Sequence, residues 1–251
     1  MLGEERRQII IEKISADKKV YVTELSELFQ VTEETVRRDL EKLEEKELLK
    51  RTYGGAMSFQ KISDDLPFAT RTTQNSESKE LIARKAVSLI KDGVKLVVDA
   101  STTSLLLLEN IKNKKDITLI TNSIKIPHDF VNSDLQIIST GGMLRPHSLA
   151  LVGPTAKQSL LNYHVDIAIL SCKALSMEKG IMESNEPESD LKTTMRHQAE
   201  KCILMADSSK FNKVAFIKML NFEDIDYLVT DLDPGKEWNN FCKKNGIELI
   251  F

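Results

Sequence analysis

Seven short, almost continuously apolar runs beyond residue 94 constrain the fold of this chain more than anything else in it. They are KLVVDA (95–100), ITLITNS (117–123), LQIISTGG (135–142), VDIAILSC (165–172), KCILMADSS (201–209), DYLVTD (226–231) and IELIF (247–251). Runs of this length without polar alternation suit strands buried on both faces, as in parallel sheets. Helix-length segments such as KELIARKAVSLIKDG (79–93) and DLKTTMRHQAEK (190–201) lie between them. The repeated strand–helix order predicts right-handed crossovers and an open, mostly parallel α/β sheet.

The first sixty residues have a different texture. Ile9, Ile10 and Ile14 at helical spacing predict an amphipathic helix from Glu4 to Ile14. Thr23 is placed to cap a second helix with Leu25, Leu28 and Phe29 on one face, and Thr32 to cap a third with Glu33 and Glu34 in its first turn. In the third helix Val36, Leu40 and Leu43 form an apolar stripe, while Thr35, Arg38 and Lys42 fall on another. LLKRTYGGA (48–56) then reads as a hairpin with Tyr53 near its tip and a tight turn at Gly54 and Gly55. A helix-turn-helix with a wing puts the exposed face of its second helix into a major groove. Thr35 and Arg38 become candidates for reading bases, because the arginine fork matches the two acceptors of guanine. Arg37, Lys42 and Arg51 would meet phosphates, which position without reading sequence. A helical hairpin whose charges are merely solvated has the same spacing, and 11 Lys or Arg against 13 Asp or Glu in residues 1–60 give no bulk basic signal.

A chain of 251 residues can bury two unequal cores, and 41% apolar with 29% charged residues is the texture of an ordinary globular protein. No stretch approaches the length of an apolar membrane span and MLGEERRQII lacks a signal-peptide core, so a cytoplasmic location and no membrane partner are expected. Cys172, Cys202 and Cys242 stand alone and the four His are far apart, so buried thiols and no metal or cofactor are expected. The polar stretch around Pro67, without sustained period, reads as a connector. The expected organisation is a winged helix-turn-helix domain over residues 1–57, a flexible linker over 58–76 and an α/β domain over 77–251.

The apolar runs of the larger part end in residues suited to an anion, at the place where open α/β sheets bind ligands. Asp99 closes the first run, and Ser101, Thr102, Thr103 and Ser104 follow with hydroxyls and N–H groups at a helix N-terminus. A plain Ser/Thr cap explains that cluster equally well. Asn122 and Ser123 end the second run; Gly141 and Gly142 end the third, where missing side chains would let a ligand approach the backbone. Arg145 suits a bidentate grip on phosphate or a surface ion pair, and Lys210 is a second cationic candidate.

The run VTEETVRRDLEKLEEKELLKRTYGGA (31–56) closely resembles the DNA-binding domain of the DeoR family of bacterial regulators, whose recognition helix carries Thr-(Ile/Val)-Arg-Arg-Asp-Leu and whose wing ends in Gly-Gly-Ala. The resemblance continues through DASTTS, TNS, STGGMLRPHSLALVGP and MADSSKF, in the family's order over nearly the whole chain. It implies a sensor half of the sugar-phosphate isomerase and CoA-transferase type, with these loops lining one pocket. The implied protein is a repressor of a carbohydrate operon, relieved by a phosphorylated sugar, binding operator DNA as a homodimer or homotetramer. Two departures matter. Ser101 stands where many relatives have Gly, and Ser171, Cys172 and Lys173 replace a Gly-rich, Asp-containing loop, so that Lys173 becomes a possible anion contact. The competing expectation is an isomerase-like enzyme with an accessory DNA-binding domain, using Asp99, Glu183 or Asp207 as its base.

Overall fold

The computed structural model describes residues 3–17, 19–45, 48–58 and 66–251. The chain divides into two compact units, Met1–Lys61 and Ile62–Phe251.

In the first unit, helix α1 (Gly3–Asp17) is followed by a three-residue strand β1 (Lys19–Tyr21), then α2 (Val22–Phe29), α3 (Glu33–Glu44) and the hairpin β2 (Leu49–Thr52) and β3 (Gly55–Ser58). The sheet order is β1-β3-β2, antiparallel throughout. Ile10, Ile14, Leu25, Phe29, Val36, Leu40 and Leu43 share one core with Val20, Leu49 and Ala56. Leu28 lies on the exposed side of α2, so only Leu25 and Phe29 of the expected stripe are buried. Thr23 does not cap α2. The helix begins one residue earlier, at Val22, whose N–H donates to the Gly54 carbonyl at 2.9 Å and needs no side-chain cap. Thr32 does cap α3, accepting from the Thr35 N–H at 3.3 Å. The wing turn is Tyr53–Gly54, while Gly55 already sits in β3 opposite Tyr21. A Cβ at Gly55 would lie 2.0 Å from the Val20 carbonyl oxygen, so the glycine is required by the close approach of β1.

The second unit opens with α4 (Phe68–Thr73) and α5 (Ser76–Ala86). Here the structure departs from the expected linker: residues 66–76 are packed onto the unit, and residues 59–65 lie outside those described. Phe68 is buried and its N–H donates to the His147 carbonyl at 2.8 Å, while Asn75 Nδ2 reaches Asp207 Oδ1 at 3.2 Å. The chain continues through β4 (Lys95–Val98), α6 (Thr102–Ile111), β5 (Thr118–Thr121), α7 (Lys125–Asp129), β6 (Gln136–Ser139), β7 (Met143–Arg145), β8 (Ala150–Val152), α8 (Pro154–Leu160) and β9 (Val165–Ser171). It ends through β10 (Ala174–Ser176), β11 (Gly180–Glu183), α9 (Glu186–His197), β12 (Ala199–Met205), β13 (Ile217–Leu220), β14 (Tyr227–Val229), α10 (Lys236–Lys244) and β15 (Glu248–Ile250).

The seven apolar runs form one parallel sheet in the order β15-β14-β12-β9-β4-β5-β6. Two cores cover its faces: one includes Val97, Ala168, Leu170, Leu204 and Trp238, the other Leu96, Val98, Leu107, Ile169 and Met205. Successive strands run outward from β4 through β5 to β6, then resume on its other side with β9, β12, β14 and β15. The direction of winding therefore reverses between β4 and β9, which makes their C-terminal ends the switch point where open α/β sheets of this kind form a ligand crevice.

Candidate functional site

In the first unit the exposed side of α3 carries Thr35, Arg37, Arg38 and Lys42, with Thr35 half-buried and the three cations exposed. The guanidinium groups rest on acids one turn back, Arg37 on Glu33 at 2.8 Å and Arg38 on Glu34 at 3.4 Å. Arg51 in β2 lies between Glu44 at 3.0 Å and Glu41 at 3.8 Å. Exposed pairs of this kind contribute at most about 1 kcal/mol, so an arriving phosphate can displace the acid at little cost. The Thr35 hydroxyl, 2.9 Å from that of Thr32, is held at the start of the helix. Sequence reasoning missed Asp39. Buried on the opposite side, it receives Arg6 Nε at 2.6 Å and Arg7 NH1 at 3.1 Å, which fixes α3 to α1. Tyr53 is fully exposed at the tip of the wing, and Thr23 is exposed on α2.

In the second unit the candidate residues gather at the C-terminal edge of the sheet, around the β4/β9 crevice. Asp99 is fully buried, and its carboxylate is taken up by bonds within the protein. Its Oδ1 accepts from the Ser101 N–H at 3.1 Å and the Ser104 hydroxyl at 2.7 Å, and its Oδ2 from the Ser171 N–H at 2.8 Å. Lys192 Nζ stands 3.2 Å from the same Oδ2, 2.6 Å from Glu183 Oε2 and 2.9 Å from the Ser171 carbonyl. Burial alone would raise the Asp99 pKa, but Lys192 and the three donors outweigh it and hold the carboxyl below its ordinary value. Burial likewise works against the Lys192 charge, and Glu183 and Asp99 more than restore it. This saturated cluster ties β4, β9, β11 and α9 together beneath the crevice.

Above it, Ser101 caps α6, its Oγ accepting from the Ser104 N–H at 3.1 Å and donating to the Ser104 hydroxyl at 2.8 Å. Those two hydroxyls are committed to the cap, while the N–H groups of Thr102 and Thr103, in the first turn, have no intrahelical acceptor. Ser123 caps α7 through bonds from the N–H groups of Lys125 and Ile126. Asn122 is buried, with Nδ2 donating to the Leu151 carbonyl at 3.1 Å and Oδ1 unbonded among the described residues. Gly142 is required by packing: at φ 115° a Cβ would lie 2.8 Å from the Val152 carbonyl oxygen and 2.9 Å from Ala156 Cβ. Gly141, at φ 66°, has open space where its Cβ would be.

The cations are distributed differently from the sequence expectation. Arg145 is already engaged, with NH1 3.1 Å from Glu188 Oε1 and 3.2 Å from the Ser148 hydroxyl. Lys173 is half-buried, its N–H donating to the Met182 carbonyl at 2.9 Å. Lys210 does reach the crevice: Nζ donates to the Ser171 hydroxyl at 2.9 Å and stands 3.8 Å from Asp207 Oδ2. Beside it, and missed by sequence reasoning, is Lys79 of α5. This buried ammonium donates to the carbonyls of Gln74, at 2.6 Å, and Arg71. Burial, and then repulsion from Lys210, lower its pKa to about 8, while Asp207 opposes the shift. No periodicity marks Lys79 or Lys192, because a lysine on a polar helix ordinarily ends in water.

The acids proposed as enzymatic bases are all held by lysines: Asp99 and Glu183 by Lys192, and Asp207 by Lys210. The Cys172 thiol is pushed up by burial to about 12, which leaves no thiolate at neutral pH. The arrangement is suited to binding an anion, and the three acids that could have served as a base are each held by a lysine.

A winged helix-turn-helix joined to a parallel α/β unit with an anion-suited crevice is the architecture of a ligand-responsive DNA-binding regulator. The chain belongs to the DeoR family of transcriptional regulators: residues 6–61 match the DeoR-like helix-turn-helix domain and residues 74–232 the DeoR C terminal sensor domain. It is similar to the uncharacterized HTH-type transcriptional regulator YulB of Bacillus subtilis, with 40% identity over 94% of this chain and 92% of that one. It is also similar to the HTH-type transcriptional repressor GlcR of Bacillus subtilis, at 34% identity over 100% and 96% of the two chains. The putative aga operon transcriptional repressor of Escherichia coli O157:H7 is 31% identical over 98% and 93%. The relatives are regulators, and the chain is a regulator and not an enzyme. Among solved structures, ribose 5-phosphate isomerase A of Methanocaldococcus jannaschii matches 55% of each chain at 16% identity with a TM-score of 0.41.

Proposed function

We propose that this regulator represses a carbohydrate-catabolic operon and releases its operator when a phosphorylated sugar enters the β4/β9 crevice of the sensor unit. What supports the reading is that the start of α6 and Lys210 are both tied to the Asp99–Ser171 corner at a topological switch point, with Lys79 beside Lys210. Amide donors at a helix N-terminus favour an anion, and a cation beside them makes the hydrogen bonds shorter and stronger. A sugar hydroxyl is the complementary donor for Asn122 Oδ1, a buried acceptor without a partner among the described residues. A relative 32% identical over 98% of both chains, the L-fucose operon activator of Haemophilus influenzae, acts on a sugar operon. The protein works on double-stranded operator DNA in the cytoplasm, as a homodimer or homotetramer, and without a cofactor.

The test is operator binding titrated with matched phosphorylated and unphosphorylated sugars, ketoses and deoxy-sugars included. One or more phosphorylated members should weaken operator binding, with the unphosphorylated form of the same sugar inert. Equal responses to both forms would refute the phosphate seat. An operator affinity indifferent to the whole panel would refute the sensor reading.

A further inference from the structure

Helices α5 and α6 leave between them a largely apolar groove of about 550 Å³, floored by Leu81, Leu105 and Leu106 and bordered by Glu77, Glu80 and Arg84. The inner side of α5 is committed to the core through Ile82, Ala83 and Ala86. Its outer side presents Glu77, Glu80, Leu81 and Arg84, at spacings that put all four on one stripe two turns long. Leu81 is 46% exposed at the centre of that stripe, an apolar side chain with charges above and below it.

We propose that this groove docks a second copy of the chain, with the two α5 helices packed antiparallel across a twofold axis. The order of charges selects the arrangement. When the axis passes between residues 80 and 81, Glu77 of one copy faces Arg84 of the other, Arg84 faces Glu77, and Leu81 of each copy falls opposite Glu80 of the other, one residue from the axis. That reciprocity is what an isologous interface requires. A parallel pairing would oppose Glu77 to Glu77 and Arg84 to Arg84. Glu77 makes no ion pair among the described residues, and Arg84, although 2.9 Å from Glu80, keeps its side chain 67% exposed and able to turn outward. Thr102, whose N–H belongs to the proposed anion seat, lines the same groove. Occupation of the seat and docking of the second copy thereby share one helix terminus. The need for a second copy rests on the regulator reading, since winged helix-turn-helix proteins read paired half-sites as dimers; the surface itself is argued from the groove.

The experiment is sedimentation of the full chain across a micromolar concentration series, with circular dichroism to confirm folding. Leu81→Glu should weaken association by about tenfold or more, as truncation of a central anchor does. E77R and R84E should each weaken it, and the double variant E77R/R84E should recover association, because reversing both charges restores the antiparallel match. That recovery also covers the case in which Leu81→Glu fails to fold. A monomeric wild-type protein, association unchanged by these substitutions, or absence of recovery in the double variant would each overturn the proposal. Binding to DNA carrying a single half-site, measured in parallel, separates the two ideas. Intact half-site binding by a monomeric protein removes the surface and leaves the regulator reading, whereas loss of DNA binding by an intact dimer does the reverse.

Discussion

Lys79 shows how a single residue can be invisible in the sequence and prominent in the site. Its flanking pattern is that of a solvated lysine, and only the packing of residues 66–76 against the sheet edge buries it beside Lys210. Its pKa near 8 lies below the unfolded value, so the protonated form costs folding free energy at pH below 8. That cost is relieved as pH rises from 8 towards the ordinary lysine range. A bound phosphate acts in the opposite direction, restoring the proton. With the ligand dianionic throughout, affinity for a sugar phosphate should fall by about tenfold between pH 7 and pH 9, accompanied by proton uptake near pH 8. Calorimetry in two buffers of different ionisation enthalpy measures both quantities. The pH dependence should vanish in Lys79→Met, and a tenfold fall that persists in that variant would place the titrating group elsewhere. Arg145 teaches the converse: its sequence context suggested a phosphate clamp, but Glu188, from a helix 43 residues on, had no reason to be anticipated as its partner.

At the scale of elements, the parallel strands were legible because buried strands must be apolar on both faces, and KLVVDA or VDIAILSC have few other uses. The short antiparallel pieces were not. β1, β7, β8 and β10 have three residues each, too few to show a period, and they exist because neighbouring backbone is there to pair with. Gly55 was read as a turn residue for the same reason, since β1 could not be seen. The wing therefore offers a sharp comparison. Gly55→Ala should destabilise the DNA-binding unit by about 1–3 kcal/mol or more, because a Cβ there collides with the Val20 carbonyl. Gly54→Ala, with nothing within 4 Å of its Cβ, should change stability by less than about 1 kcal/mol. Urea unfolding of the two variants distinguishes a packing glycine from a turn glycine. Beneath the crevice, Lys192→Met should cost about 3–5 kcal/mol, since it leaves Asp99 and Glu183 buried without their shared cation. An unfolding midpoint close to wild type would mean that those carboxylates find other partners.

For the whole molecule, the proposed function requires a coupling free energy between a site in each unit, and the two sites can be altered separately. Arg38→Ala removes a candidate base contact from an exposed position, so it should weaken operator binding by about 1–3 kcal/mol and leave sugar-phosphate affinity of the DNA-free protein unchanged. Lys210→Met removes a cation from the crevice rim and should do the reverse: operator affinity stays within about twofold of wild type while the response to ligand is lost. Linkage adds a stricter requirement. If the sugar phosphate weakens operator binding by some factor, typically about 5–150-fold, operator DNA must weaken sugar-phosphate binding by the same factor. Measuring the ligand dissociation constant with and without saturating operator, and the operator constant with and without saturating ligand, should return equal ratios. Unequal ratios would show that a further equilibrium, such as assembly through the α5 groove, takes part in the switch. In that case Leu81→Glu should bring the two ratios together.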